Sequence, residues 1–153
     1  MKNKKQLSKR RLVVVTGATG KLGEAYLKGI VTSESIKCFA ITRRDPPHVQ
    51  RGVTYLYADL LNKEQIKRVI DSIDMHEFSE VILVHPVGMF KFEMLGFPEI
   101  DKNKDRIDDE VFASNVLTFL HIFKALKERV SKHEKIRFTV CAFGSISDKY
   151  HVP

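Results

Sequence analysis

The segment from Leu12 to Gly23 constrains the fold of this chain more than any other part of its sequence. The run Leu-Val-Val-Val is followed by Thr16 and then by Gly17, Gly20 and Gly23, spaced three residues apart. A continuous run of Val and Leu is typical of a strand buried on both faces, as in a parallel sheet. A helical pattern starts directly after it. The segment therefore predicts a strand, a tight turn and a helix in immediate succession.

Each of the three glycines is expected where a side chain would interfere with the turn, the ligand or the helix. The first permits a tight turn, the second lets the backbone approach a pyrophosphate, and the third lets the helix pack closely on the strand. Free N–H groups at the positive end of the helix would then bind the phosphates. We interpret the segment as a dinucleotide-binding loop rather than an ordinary glycine-containing turn. The expected contacts are Gly17, Thr19, Gly20, Lys21, Leu22 and Gly23.

The rest of the sequence alternates between strand-like and helix-like runs. Strands are predicted over residues 36–42, 53–58, 81–84 and 136–143, and a long loop over 89–106. The last helix is predicted to bury one stripe, which comprises Phe112, Val116, Phe119, Phe123, Leu126 and Val130. Because strands and helices alternate, we expect an α/β fold with a doubly wound parallel sheet of order 3-2-1-4-5 in three α/β/α layers.

Length and composition limit the class of protein. A chain of 153 residues with 43% apolar residues is long enough for one domain with a real core. No apolar run approaches the ~20 residues of a membrane span, and no signal peptide is visible. Cys38 and Cys141 lie on strands that two other strands would separate, so we expect free thiols and a cytoplasmic protein.

The positive charge is concentrated at the start of the chain. The net charge is +7, and Lys2, Lys4, Lys5, Lys9, Arg10 and Arg11 all lie within the first eleven residues. We interpret residues 1–11 as a solvated basic tail and residues 12–153 as the domain. A contact with nucleic acid is the less favoured alternative.

In these motifs the chain resembles the N-terminal part of a short-chain dehydrogenase/reductase, a family of NAD(P)-binding proteins with a Rossmann-type fold. The matching motifs are Thr16-Gly17-Ala18-Thr19-Gly20-Lys21-Leu22-Gly23, Asp59-Leu60, His85-Pro86-Val87-Gly88, Asn115 and Gly144-Ser145. The resemblance implies hydride transfer between a nicotinamide dinucleotide and a carbonyl or alcohol. The glycine spacing is that of extended and atypical members, whereas the short run from Gly88 to Asn115 is that of the shorter branch.

The resemblance also implies roles for residues that follow the strands. Asp59, with Leu60, would contact the adenine amino group, although Asp59 could instead cap the next helix. His85 and Gly88 lie in a turn beside the cofactor, where we expect His85 to make structural or cofactor contacts rather than act as a base.

Two further residues are expected to take part in catalysis. Asn115 would support a water chain to the catalytic lysine, or it would only bond its local backbone. Ser145 would bind the oxygen of the substrate, with Ser147 as its nearby competitor. No metal site is predicted.

The choice between NADP and NAD depends on the end of the second strand. An NAD enzyme usually has Asp or Glu there to hold the ribose hydroxyls. This chain has Arg43 and Arg44, whose guanidinium groups match a 2′-phosphate, although Asp45 is close by. We therefore expect NADP, with NAD as the less favoured cofactor.

The family's acid–base pair is Tyr followed four residues later by Lys, and none of the four tyrosines of this chain has that lysine. We therefore expect a domain truncated after strand five, which could not catalyse by the family mechanism alone. A non-catalytic NADP-binding regulatory or sensor protein is the alternative. A third is a whole product that binds the cofactor weakly. The unpaired edge of the last strand further predicts self-association.

Overall fold

The computed structural model describes residues 10–30, 34–88 and 109–143. Within them, strands β1 to β5 are Arg10–Thr16, Ile36–Thr42, Val53–Tyr57, Phe78–His85 and Arg137–Ala142. Helices α1 to α3 are Lys21–Gly29, Lys63–Asp71 and Thr118–Ser131. A 3₁₀ turn, Met75–Glu77, precedes β4, and a π-helical turn, Ala113–Leu117, precedes α3. The predicted loop over residues 89–106 lies outside the described residues.

The sheet confirms the predicted topology. All four pairings are parallel, and the strand order is β3-β2-β1-β4-β5. Because β1 and β4 separate Cys38 on β2 from Cys141 on β5, the two cysteines are free, as expected. Burial raises the pKa of the Cys38 thiol to about 12, so this thiol is an unreactive part of the core.

Alternate residues of the central strand serve two apolar layers. Leu12 and Val14 belong to the larger core, which α2 and α3 cover with Ile66 and Ile122 among others. Val13 and Val15 belong to a smaller core on the opposite face, under Leu27 of α1. The three α/β/α layers of the prediction are therefore present, and β1 is buried on both faces.

The stripe predicted for the last helix is wrong at its start. Phe112 and Val116 are 54% and 37% exposed, and the buried residues of α3 are Thr118, Ile122, Leu126 and Val130. The π-helical turn is the physical cause, because its wider turn rotates the preceding residues away from the stripe that follows. A constant period of 3.6 residues could not anticipate this change of face.

The first strand also begins earlier than the sequence suggested. β1 starts at Arg10, so Arg10 and Arg11 belong to the sheet, and residues 1–9 lie outside the described part of the chain. The guanidinium group of Arg10 lies 3.5 Å from the carboxylate of Glu77, and that of Arg11 lies 3.3 Å from the carboxylate of Glu80.

Among the described helices, none combines the length and apolar character that crossing a bilayer requires.

Candidate functional site

The glycine segment forms a tight turn at the carboxyl end of the sheet, where the strands end. Gly17 has a φ of +60°, in the left-handed region that favours glycine. A Cβ there would also lie only 2.8 Å from Val87 Cγ2. The N–H of Gly20 donates to the carbonyl of Gly17 at 2.9 Å and closes the turn. The first two glycines therefore form the turn that the sequence predicted.

Helix α1 lies directly against this turn. A Cβ on Gly23 would be 2.2 Å from the carbonyl oxygen of Gly17, so only glycine fits. Gly20 is the N-cap and provides no side-chain cap, which leaves the first turn of α1 able to bind an anion. Lys21 and Leu22 are exposed there, and Leu22 is 59% exposed although it is apolar. The first turn of α1 therefore lies against the glycine turn without a capping side chain.

The end of β2 is connected to the glycine loop through hydroxyl groups. Thr19, which lies between Gly17 and Gly20, has its Oγ1 3.4 Å from Oγ1 of Thr42. The Thr42 hydroxyl donates to the carbonyl of Arg44 at 2.8 Å and accepts from its N–H at 3.1 Å. The backbone after β2 is thereby fixed, and the side chains of Arg43 and Arg44 are exposed.

Asp59 has partners in the structure. Its Oδ1 accepts from the N–H of Leu61 at 2.9 Å, and its Oδ2 lies 3.9 Å from Arg43 Nη1. The N-cap of α2 is Asn62, whose side chain accepts from Gln65, so Asp59 is not that cap. The side chain of Leu60 is buried in the larger core. Asp59 and Arg43 thus form one exposed pair at the carboxyl ends of β2 and β3.

His85 is buried at the end of β4 and both of its ring nitrogens have a partner. Nδ1 lies 2.8 Å from Thr16 Oγ1, and Nε2 lies 3.3 Å from Thr118 Oγ1. The ring also packs edge-on against Phe119. Burial lowers the pKa of His85 to about 4, so the ring is neutral at pH 7. With both nitrogens engaged, His85 holds structure together and has no free position from which to act as a base.

Asn115 and Gly88 lie close to each other. Asn115 lies in the π-helical turn, and its Oδ1 is 3.4 Å from the position that a Cβ on Gly88 would occupy. Turns of this kind are frequently found at functional sites. Ser145 and Ser147 lie outside the described residues.

Three threonines at the carboxyl end of the sheet were given no role from the sequence, although Thr16 belongs to the glycine motif. Thr16 and Thr42 end their strands, Thr118 begins α3, and all three are buried. The signal for the first two was present, since each is the one polar residue at the end of an apolar run. Thr118 could not be found in this way, because the period across the π-helical turn is interrupted.

The sheet order, the glycine turn and the helix packed on it define an α/β protein with a Rossmann-type fold. Solved short-chain dehydrogenases have the same fold. One from Leptospira borgpetersenii, solved with bound NAD+, superposes with a TM-score of 0.68 at 19% identity, covering 100% of this chain and 58% of that protein. One from Burkholderia cenocepacia, in complex with NADP, superposes with a TM-score of 0.69 at 20% identity, covering 95% and 57%.

Serine dehydrogenase from Escherichia coli is a third such structure, with a TM-score of 0.66 at 18% identity, covering 91% of this chain and 63% of that protein. The chain therefore spans about three fifths of the length of these three proteins. No protein-family model matches the chain, and no curated protein matches its sequence.

Proposed function

We propose that this chain is the NADP(H)-binding domain of a short-chain dehydrogenase-like oxidoreductase. The observation that carries the proposal is the contact between Gly23 and Gly17, which brings the first turn of α1 onto a glycine loop at the carboxyl end of β1. Ligands of open α/β sheets bind at this end. The similar structures, solved with NAD+ or NADP, support a nicotinamide dinucleotide as the ligand.

The chain's own residues would hold the dinucleotide in three places. The N–H groups of the first turn of α1 would bind the pyrophosphate, with Lys21 and the exposed Leu22 beside it. Asp59 would accept from the adenine amino group. Gly88 would leave room for the cofactor beside Asn115. A bound dinucleotide would supply the hydride-transfer chemistry.

Arg43 and Arg44 support NADP over NAD. Both are exposed at the end of β2, and a guanidinium group binds a phosphate through two parallel hydrogen bonds. Arg43 Nη1 lies 3.9 Å from Asp59 Oδ2, which is too long for a strong hydrogen bond. The Arg43 side chain can therefore turn toward a 2′-phosphate. This pair links the adenine end of the proposed site to the residue that would read the phosphate.

The experiment is calorimetry with NADPH and NADH. NADPH should bind more tightly, and replacing both arginines (R43A/R44A) should weaken NADPH binding about tenfold to a hundredfold for each charged hydrogen bond lost. Arg51→Ala is the matched control, because Arg51 is exposed in the turn before β3, away from the proposed site. Equal affinities of the unchanged chain for the two cofactors would contradict the NADP assignment.

In an intact protein that has the Tyr-x-x-x-Lys pair, Ser145 would bind the carbonyl or alcohol oxygen of the substrate and Asn115 would support the lysine. The alternative function is a non-catalytic NADP-binding regulatory protein. Turnover of NADPH by the full-length protein against a panel of carbonyl compounds would decide between the two functions.

We also propose self-association through β5 and a cytoplasmic location. Among the described strands, β5 pairs only with β4. Cys141 and Ala142 at its end are exposed, and so is Phe143, which follows it. Such an edge can accept a strand from another chain. Light scattering should therefore detect a dimer or larger species, and a monodisperse monomer would contradict the proposed self-association.

The free cysteines support the proposed cytoplasmic location, because thiols stay reduced in that compartment.

A further inference from the structure

The imidazole of His85 belongs to one segment of the proposed site and bonds residues next to two others. On one side it bonds Thr16, which directly precedes the glycine loop. On the other it bonds Thr118, which directly follows the π-helical turn that carries Asn115. His85 itself begins the third segment, residues 85–88. A single buried ring therefore joins the glycine loop, the 85–88 turn and the π-helical turn.

The directions of these hydrogen bonds are fixed by the hydroxyl of Thr118. That hydroxyl donates to the carbonyl of Ser114, four residues earlier on the helix. Its oxygen must therefore accept from His85, which places the ring proton on Nε2. Nδ1 then has a free lone pair and accepts from the hydroxyl of Thr16. The neutral ring thus acts as acceptor on one side and donor on the other.

The 85–88 turn also lies close to the other two segments. A Cβ on Gly17 would be 2.8 Å from Val87, and one on Gly88 would be 3.4 Å from Asn115 Oδ1. A shift of the glycine loop toward Val87 would therefore displace the 85–88 turn, whose Gly88 lies beside Asn115.

We propose that His85 is a positioning residue that couples the glycine loop to Asn115, so that a dinucleotide bound at the loop sets the position of the Asn115 side chain. The proposal rests on the proposed function, because it takes the glycine loop as the cofactor site. It adds a connection between the phosphate end of that site and a residue expected to serve the chemistry.

The experiment compares four variants with the unchanged chain. His85→Phe removes both hydrogen bonds, whereas His85→Gln keeps one acceptor and one donor in an amide. Thr118→Val removes the hydrogen bonds of this hydroxyl to His85 and to Ser114, leaves the bond between His85 and Thr16 in place and keeps the shape of the side chain. His133→Phe is the matched control, because His133 lies between α3 and β5, at the amino end of the sheet, and its ring packs against His76.

Three quantities are measured: the ring ¹⁵N shifts of His85, the Kd for NADPH, and the NADPH-induced shift of the Asn115 side-chain amide signal. The unchanged chain should show a proton on Nε2 and a clear Asn115 response. In His85→Phe and in Thr118→Val that response should fall by half or more. In His85→Phe the Kd should also rise about fivefold to tenfold, which corresponds to one neutral hydrogen bond. His85→Gln and His133→Phe should behave like the unchanged chain.

Each other outcome overturns a defined part of the inference. A proton on Nδ1 would contradict the direction of the hydrogen bonds. An undiminished Asn115 response in a folded His85→Phe, or in Thr118→Val if the first variant does not fold, would refute the coupling while NADPH binding remained. Failure of the unchanged chain to bind NADPH at all would refute the proposed function, and the coupling with it.

Discussion

At the amino end of the sheet Glu80 accepts hydrogen bonds from Arg137 and pairs with Arg11, whereas at the carboxyl end the buried polar groups are neutral. Glu77 similarly lies 3.5 Å from Arg10 and 3.4 Å from Lys37. The carboxyl end instead contains the hydroxyls of three threonines and the uncharged ring of His85, as well as the glycine loop.

The two ends therefore differ in what they leave unsatisfied. At the amino end each of these carboxylates already has its cations, so those charges need no further ligand. At the carboxyl end the threonine hydroxyls bond the ring of His85, backbone carbonyls or one another, and the first turn of α1 lacks a side-chain cap at Gly20. A helix start without a capping side chain is suited to an anion. Ion pairs therefore stabilise the amino end of this sheet, whereas the carboxyl end has neutral buried groups and a helix start that is suited to an anion.

Acid should destabilise the carboxyl end through His85, and this is the largest effect we expect. The ring has a pKa of about 4 in the folded chain and about 6.5 when unfolded. Above pH 6.5 both states are neutral, so His85 adds no pH dependence. Between pH 6.5 and 4 only the unfolded state binds the proton, so folding stability should fall by up to about 3 kcal/mol as the pH falls. Below pH 4 the loss from His85 levels off.

Urea unfolding of the unchanged chain and His85→Gln between pH 7 and 4 isolates this contribution. Gln does not titrate, so the variant should lose less stability over that range, even if it is less stable at pH 7. His121→Gln controls for the removal of a histidine in general. Parallel stability profiles for the unchanged chain and His85→Gln would show that His85 is not neutral and buried as described.

Gly23→Ala should disrupt the packing of α1 on the glycine loop at the carboxyl end of the sheet and leave the ion pairs at the amino end unchanged. The added Cβ would lie 2.2 Å from the carbonyl oxygen of Gly17, so α1 must move away from the loop. We expect a loss of about 1–3 kcal/mol in the free energy of unfolding, as for other overpacked sites, together with loss of NADPH binding. Gly29→Ala is the control, because nothing lies within 4 Å of its added Cβ. A Gly23→Ala variant as stable as the Gly29→Ala one would mean that the close contact is not there.

The sheet order and the glycine turn could be predicted because both follow from local chemistry. The Val run of β1 needs burial on both faces, and Gly17 and Gly23 have positions where a side chain does not fit. The two free cysteines followed from the same strand order. These features depend on residues that are close in sequence, or on the general rules for parallel sheets.

The contacts of the candidate site could not be predicted in the same way. The bonds of His85 to Thr16 and Thr118 join residues 69 and 33 positions apart. No periodicity reports such pairs, and the π-helical turn changes the buried face beyond Phe112 and Val116. The ion pairs of Arg10 and Arg11 were missed for a related reason, since their partners come from the segment around β4.

Glu80→Gln should give the smallest effect and sharpen the comparison from the amino end. The carboxylate is largely buried, but its partners Arg11 and Arg137 are more than half exposed, so solvent screens the pairs. We expect a loss of about 1 kcal/mol at low salt, which shrinks as salt is added, with NADPH affinity unchanged. Glu128→Gln is the control, because Glu128 forms only an exposed pair with Lys132 and should cost about 0.5 kcal/mol or less. If Glu80→Gln weakened NADPH binding as much as stability, the two ends of the sheet would not act separately.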